Sequence, residues 1–419
     1  MADMRYSSFI AVALLAIATT RIVSAAANDV KIAPHGALVI NGRAIFPIGF
    51  TMPPPAEGVT PWGNAALAEL ADGGATFLRT GPMGVAWTEE TFAGEQKYLD
   101  GAAKYGLYCA TNLRELSSVK EGSPAEAKLR SLLERFKDHP GLGVWKGVDE
   151  PQWGKHLVEP MLRAYEMIHK TDGKHPIFVV QAPRGTIEQL RAYDATYDIT
   201  GADIYPISYP PGGHSVDAND HISMVGDFTK KMVHVSEGRK PVWMVLQISF
   251  SGTIKPGKTL RMPSFPETRF MTYQAIINGA RGLLYFGGHI DKAIAEQDKK
   301  YGWAWTHWRR VLRPVIEEIG SKSPLYAALL APESKLAIKC SDPKVEFCVR
   351  EVGNELFILA CKREGDAVKD TKEATFTGLP TEITEGEVMF ESPRRVEAKD
   401  GAVADWFAPF DVHVYRFKR

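Results

Sequence analysis

The sequence has few of the features that mark nucleotide-dependent or nucleic-acid-binding proteins. Its 419 residues include 50 basic and 50 acidic ones, so the formal net charge is zero, and no long basic run is present. This balance argues against nucleic acid or an anionic membrane as the main partner. No P-loop and no glycine-rich dinucleotide fingerprint occurs, which sets aside phosphate and nucleotide enzymes. The balanced charge is more typical of a protein that binds an uncharged ligand than of one that binds a polyanion.

Cysteine is scarce. Cys109 lies in an apolar run and is predicted to be a buried thiol, whereas Cys340, Cys348 and Cys361 lie near the C-terminus. Their spacing contains no Cys-x-x-Cys element, and no histidine pair stands at i, i+4, so we predict no metal site and no cofactor. In an exported protein one disulfide among the last three cysteines is permitted, with its pairing left open by the spacing.

The sequence also lacks an apolar run long enough to span a bilayer, for which about 20 residues are needed. Residues 1–27 instead resemble a cleaved export signal. Arg5 is followed by an apolar core from Phe9 to Ala18 and by small residues around Ala25. We therefore expect a soluble mature protein that is secreted or periplasmic and has no membrane partner.

Residues 28–322 are predicted to form a hairpin followed by a (β/α)8 TIM barrel. Asn41-Gly42 joins two β-prone runs, which is a strong hairpin signal. Eight apolar runs then alternate with segments of helical spacing over about 250 residues, the size and order of such a barrel. The runs are residues 46–50, 75–79, 107–111, 142–148, 177–180, 199–205, 242–246 and 282–286. Near-continuous apolar strands are typical of a parallel sheet buried on both faces. The barrel is favoured over a doubly wound open sheet, which would show a phosphate loop after its first strand.

Residues 323–419 differ in character from the rest. Short strand-like runs follow one another, separated by turn residues such as Ser341-Asp342-Pro343-Lys344, with no helical segment between them. This pattern predicts an antiparallel β-sandwich that packs on the barrel.

Polar and aromatic residues stand at or after the C-terminal ends of the predicted barrel strands, where barrel enzymes place their chemistry. They are Arg79, Asn112, Asp149, Glu150, Gln181, Asp203, Tyr205 and Gln247, with Trp153, Trp303 and Trp305 in the loops. The indole rings could stack on sugar rings while the polar groups bind hydroxyls. This set predicts a carbohydrate ligand.

The fourth predicted strand ends in two adjacent acids. Strand alternation places Lys146 and Glu150 on one face and Asp149 on the other, so the two acids are expected to differ in role. A glutamate at the mouth of an apolar barrel has its charged form disfavoured by desolvation, which raises its pKa. Glu150 is therefore predicted to be the general acid of glycosidic bond cleavage.

Several segments together resemble the clan A glycoside hydrolases. They are Leu38 to Arg43, Asp149-Glu150-Pro151 after strand four, Asp203-Ile204-Tyr205-Pro206 after strand six, and the C-terminal sandwich. The resemblance covers nearly the whole mature chain. It implies a glycoside hydrolase with Glu150 as acid/base and with Arg79 and Tyr205 supporting the site. Together with the export signal, this leads us to expect a secreted enzyme that acts on a plant or algal type glycan.

The chain departs from that clan at two positions. Asp149 stands where the clan has asparagine, and Gln247 stands where the clan has the nucleophilic glutamate of strand seven. A neutral amide cannot form the glycosyl ester of the retaining mechanism, so that part of the resemblance does not carry over.

Three hypotheses accommodate the glutamine. In an inverting hydrolase, Asp203 would be the base, with its carboxyl roughly 6.5–9.5 Å from that of Glu150. In substrate-assisted retention, which the adjacent acids also suggest by their resemblance to the β-hexosaminidases, Asp149 would orient a substrate acetamide that acts as nucleophile. In a non-catalytic carbohydrate-binding protein, Gln247 would bind sugar without reacting.

Overall fold

The computed structural model describes residues 27–208, 218–249 and 261–419. The predicted export signal lies outside these residues, apart from Ala27. Within the described ranges, no helix combines the length and apolar character that crossing a membrane requires.

The described chain opens with the predicted hairpin. Strands β1 (Val30–Ile32), β2 (Leu38–Ile40) and β3 (Arg43–Ile45) form a small antiparallel sheet. The turn residues Asn41 and Gly42 both have left-handed backbone, with φ of 51° and 77°, as a two-residue hairpin loop requires. Apolar side chains of this sheet join the cluster that fills the barrel interior, so the sheet packs against one end of the barrel.

Eight parallel strands close the predicted barrel. They are β4 (Ile48–Thr51), β5 (Phe77–Thr80), β6 (Tyr108–Asn112), β7 (Leu142–Asp149), β8 (Ile177–Gln181), β9 (Ile199–Ala202), β10 (Val242–Gln247) and β11 (Ala280–Phe286). Neighbours along the chain are neighbours in the barrel, and β11 pairs with β4 to close it. All eight strands coincide with the predicted apolar runs, because a strand covered on both faces must be apolar at nearly every position.

Helices surround the barrel and connect its strands. They are α1 (Ala66–Asp72), α2 (Glu89–Tyr105), α3 (Pro124–Phe136), α4 (Val158–Thr171), α5 (Ile187–Arg191), α6 (Met224–Val235), α7 (Phe265–Ile277), α8 (Trp305–His307), α9 (Arg313–Ile319) and α10 (Tyr326–Leu330). Short 3-10 turns occupy Arg114–Ser117, Asp194–Thr196 and Glu296–Tyr301, and Trp308–Leu312 forms a π turn between α8 and α9. Sequence signals explain several helix starts: Ser123 caps α3 with Pro124 as its first residue, and Ser264 and Glu267 form a capping box on α7.

The C-terminal region is the predicted antiparallel β domain. Its strands are β12 (Lys339–Cys340), β13 (Val345–Val352), β14 (Glu355–Lys362), β15 (Lys372–Thr377), β16 (Glu385–Met389), β17 (Arg394–Lys399), β18 (Ala402–Phe407) and β19 (Val412–Lys418). They pair in the order β12-β15-β18-β17-β16-β19-β14-β13 and enclose a separate apolar core. Ion pairs such as Arg363 with Asp227 join this domain to the barrel.

The disulfide that export would permit is not formed, since all four cysteines are free. On the paired strands β13 and β14, Cys348 lies opposite Leu359 and Cys361 opposite Glu346, so the two thiols are offset rather than facing. Cys340 lies on β12, which pairs with β15. The registers of these strands therefore keep the C-terminal cysteines apart.

Candidate active site

A cavity of about 170 Å³ opens at the C-terminal ends of the barrel strands. Its walls come from seven of the eight strands or the segments that directly follow them, as the barrel geometry requires. The residues that line it are Thr51, Arg79, Met83, Lys146, Asp149, Glu150, Phe178, Val180, Asp203, Tyr205, Val245 and Phe286. Three carboxyl groups and two cationic groups therefore share one small pocket.

The carboxyl groups of Glu150 and Asp203 both line this pocket, and each shifts the pKa of the other. Burial, followed by the charge of Glu150, raises the pKa of Asp203 well above its ordinary value. Burial and the neighbouring charge of Asp149 likewise raise the pKa of Glu150. Two interacting carboxyls cannot both ionise readily, so the pair holds one proton to a pH above the ordinary carboxyl range. Such mutual influence favours a close pair over the wide separation expected of an inverting pair.

Asp149 enters the same pocket as Glu150, which corrects the prediction that the two acids lie on opposite faces. Along β7 and β8, Lys146 lies opposite Phe178 and Asp149 opposite Val180, so β7 contains one extra residue. This bulge breaks the alternation on which the prediction depended. Glu150 then adopts left-handed backbone with a φ of 49°, which turns its side chain into the pocket as well.

The charge of Asp149 is balanced by cations. Its carboxylate lies 3.0 Å from Lys146 Nζ, and its side chain keeps 60% of its surface because it faces the open cavity. Burial acts to raise the pKa of Asp149, but the positive charges of Lys146 and Arg79 outweigh it and hold the pKa below its ordinary value. The pocket thus places an ionised Asp149 beside the proton-sharing pair.

Arg79 and Tyr205 lie where the resemblance places them, in the pocket wall. The guanidinium of Arg79 is buried and donates to the sulfur of Met83 at 3.1 Å. The ring of Tyr205 stacks on Phe286, with 5.1 Å between ring centroids, and burial raises the pKa of its hydroxyl well above the ordinary value. Both side chains are positioned to contact a bound ligand.

Gln247 does not face the pocket, contrary to the prediction that it binds substrate. Its side chain is fully buried, and its amide pairs with the backbone of Ile207 through two hydrogen bonds of 2.7 Å. Ile207 N–H donates to Oε1, and Nε2 donates to the Ile207 carbonyl. The strand that ends in Gln247 contributes Val245 to the pocket instead.

Asn112 and Gln181 were predicted to bind hydroxyls, but both are buried behind the pocket wall. The Asn112 side-chain oxygen accepts from Arg114 N–H at 3.3 Å, and that of Gln181 accepts from Gln152 N–H at 3.3 Å. Asn112 thus bonds the segment after its own strand, and Gln181 the loop after the neighbouring β7, and neither side chain lines the cavity.

The tryptophans divide into two groups. Trp303 and Trp305 are fully buried and pack edge to face against each other, so the prediction that they stack on sugar is wrong. Trp303 also packs edge to face on Phe50, because large rings are removed from water where the loop after β11 covers the barrel. Trp153 is 56% exposed, and the guanidinium of Arg184 lies 4.4 Å from its ring centre. Of these three tryptophans, Trp153 alone is exposed.

Sequence reasoning missed other members of the pocket. Thr51, Met83 and Phe286 line it without any motif that would have identified them. Lys146 did carry a signal, since a lone lysine inside the apolar run of residues 142–148 requires a partner when buried. Among the described residues, no group of three or more histidine, cysteine, aspartate or glutamate side chains could hold a metal ion.

Comparison with known proteins gives a likeness of fold without a likeness of sequence. No family model and no curated protein matches the chain. A glycoside hydrolase family 5 protein from Bacteroides vulgatus ATCC 8482 superposes with a TM-score of 0.60 at 11% identity, covering 93% of this chain and 92% of that one. A protein described as a glycoside hydrolase gives 0.58 at 12% identity, with 93% and 96% covered. A GH30 endoxylanase from Clostridium papyrosolvens C71 gives 0.50 at 10% identity, with 90% and 97% covered. At these identities the likeness shows the fold, a parallel barrel with a C-terminal β domain.

Proposed function

We propose that the protein is a glycoside hydrolase in which Glu150 is the general acid. The observation that carries this proposal is the pair of carboxyl groups, Glu150 and Asp203, that line one pocket and both have raised pKa values. Because the pair retains one proton above the ordinary carboxyl range, Glu150 can deliver it to the oxygen of a leaving sugar. The substrate is an oligo- or polysaccharide, and the export-signal pattern of residues 1–27 supports a location outside the cytoplasm.

The mechanism that fits the pocket best is substrate-assisted retention. Strand β10 offers no nucleophile, since Gln247 points at Ile207. Asp149 is ionised and lies beside the proton donor, so it can orient a substrate acetamide and stabilise the positive charge that develops there. The oxygen of that acetamide would attack the anomeric carbon while Glu150 protonates the leaving group.

The inverting mechanism with Asp203 as base is less well supported. That mechanism needs a water between the base and the sugar, and hence a wide gap between the two carboxyls. Burial and the charge of Glu150 instead raise the pKa of Asp203 well above its ordinary value, which makes it a poor base at neutral pH. We assign Asp203 a different role, which is to retain the proton that it shares with Glu150.

The alternative to an enzyme is a non-catalytic protein that binds carbohydrate on a barrel scaffold. A protein that only binds sugar has no need of acids whose pKa values are displaced in opposite directions, and such displacement is concentrated at catalytic sites. The contrast between Asp149 and the Glu150–Asp203 pair therefore favours an enzyme.

The test is turnover on a glycan panel with the product anomers followed by NMR. Retention limited to substrates with a 2-acetamido group would support the mechanism above. Inversion would make Asp203 the base and overturn the substrate-assisted assignment. Measurable binding with no turnover across the panel would overturn the hydrolase itself.

A further inference from the structure

The backbone of β7 leaves its regular register just before the two pocket acids. From Lys146 to Asp149 the strand advances three residues while β8 advances only from Phe178 to Val180. A bulge of this kind leaves one residue outside the ladder and re-aims the side chains that follow. Here it moves Asp149 from the outer face of the barrel to the pocket.

The ammonium group of Lys146 lies at the centre of this bulge. It is almost completely buried, and it donates to the carbonyl oxygens of Gly147 at 3.0 Å and Val148 at 3.2 Å. Its third contact is Asp149 Oδ1 at 3.0 Å. An ammonium has three hydrogens, so all of its donors are used within the next three residues of the chain.

We propose that Lys146 is a positioning residue that stabilises the β7 bulge and thereby holds the carboxylate of Asp149 in the pocket. Regular alternation would turn Asp149 away from the cavity, and the contacts of Lys146 with two bulge carbonyls stabilise the irregular backbone instead. Because all three donors point at the protein, Lys146 presents no free amine to a substrate. The catalytic role of Asp149 rests on the proposed function, whereas its positioning by Lys146 does not.

Electrostatics gives Lys146 a second effect on the same carboxylate. Asp149 interacts electrostatically with Glu150 next to it in the chain, Arg79 on β5, Arg114 after β6 and Asp203 after β9. Of these neighbours and Lys146, the charge of Lys146 contributes most to lowering the pKa of Asp149. Loss of that charge would leave three carboxyl groups in one pocket, so Asp149 would bind a proton more readily.

The experiment is a pH titration of the Asp149 carboxyl by NMR, with aspartate labelled at the side-chain carbon and the signal assigned by its loss in Asp149→Asn. In Lys146→Met we expect the pKa of Asp149 to rise by about 1–3 pH units, the range seen when a close cation is lost. Lys362→Met is the matched control. Lys362 is another buried lysine, paired with Asp342 at 2.7 Å and bonded to a backbone carbonyl, but in the C-terminal domain.

An unchanged pKa of Asp149 in folded Lys146→Met would overturn the proposal, as would an equal shift in the Lys362 variant. If Lys146→Met does not fold, Lys146→Gln keeps an amide donor without the charge, and the same rise is expected. The titration needs no substrate, so its result can be interpreted whether or not the protein proves to be a hydrolase. For an active enzyme, the acid limb of the pH dependence of kcat should move upward by the same amount, a change that a purely structural defect would not produce.

Discussion

The substitution Gln247→Glu distinguishes a buried structural amide from a lost nucleophile. The amide both accepts from and donates to the backbone of Ile207, in a site closed to solvent. An ionised carboxylate could still accept the Ile207 N–H, but its second oxygen would face the Ile207 carbonyl with no hydrogen between them. A protonated carboxyl restores that donor. We therefore expect the introduced acid to stay protonated in the folded state.

The magnitude follows from the cost of charging a buried acid. Burial raises carboxyl pKa values by up to 3–5 units, and a shift of about 2–3 units above the unfolded value of about 4.3 corresponds to about 3–4 kcal/mol. Because the folded-state pKa is the higher one, the stability of the variant is intact below about pH 4 and is lost as the pH rises toward the folded pKa. The variant should thus lose about 3–4 kcal/mol relative to the wild type between pH 4 and pH 8.

The assay is urea unfolding of both proteins at pH 4 and pH 8, with Gln181→Glu as a matched control. Gln181 is equally buried at the end of β8, but its amide nitrogen has no hydrogen-bond partner, so this variant loses no donated bond. It should show a smaller dependence on pH. An equal destabilisation of Gln247→Glu at both pH values, or a glycosyl-enzyme trapped on the introduced glutamate, would show that the side chain faces the pocket.

Three further predictions concern the pocket and its surroundings. Asp203→Asn removes the member of the pair whose pKa is raised most, so the upper apparent pKa of the pair, and with it the alkaline limb of the pH–rate profile, should move to lower pH; an unmoved limb would argue against the pair. Trp303→Ala should cost about 3–5 kcal/mol of stability by removing a core ring, whereas Trp153→Ala should raise KM with little change in stability, and the reverse pattern would contradict the burial of these rings. Thiol titration of the unfolded, unreduced protein should count four free cysteines, and a count of two would reveal a disulfide.

The fold could be predicted from the sequence because its signals are local and repeated. Apolar runs bounded by turn residues located all eight barrel strands, and Asn41-Gly42 located the hairpin. The ends of those strands then identified Glu150, Asp203, Arg79 and Tyr205, since parallel strands in a barrel bring their C-terminal ends together. These four side chains all line the pocket.

The failures concern side-chain direction, which depends on contacts distant in the chain. No local pattern reveals the β7 bulge, so the face occupied by Asp149 was predicted wrongly. Gln247 stands at a strand end in the expected place, but a backbone group forty residues earlier binds its amide. The sequence position of Trp303 predicts a ring that stacks on sugar, but packing against Phe50 buries it. Strand position can be read from a sequence, whereas the partners of a polar or aromatic side chain at its end cannot.

The most direct test of the central claim is the dependence of Glu150→Gln on the leaving group. A general acid contributes about 10²–10⁴-fold when the leaving oxygen needs a proton, and little when it does not. With the sugar that the glycan panel identifies, the variant should lose about 10²–10⁴-fold in kcat on the natural glycan. It should keep nearly wild-type kcat on a dinitrophenyl glycoside of the same sugar. Equal losses on both substrates, or full activity on the glycan, would contradict the assignment of Glu150 as the acid.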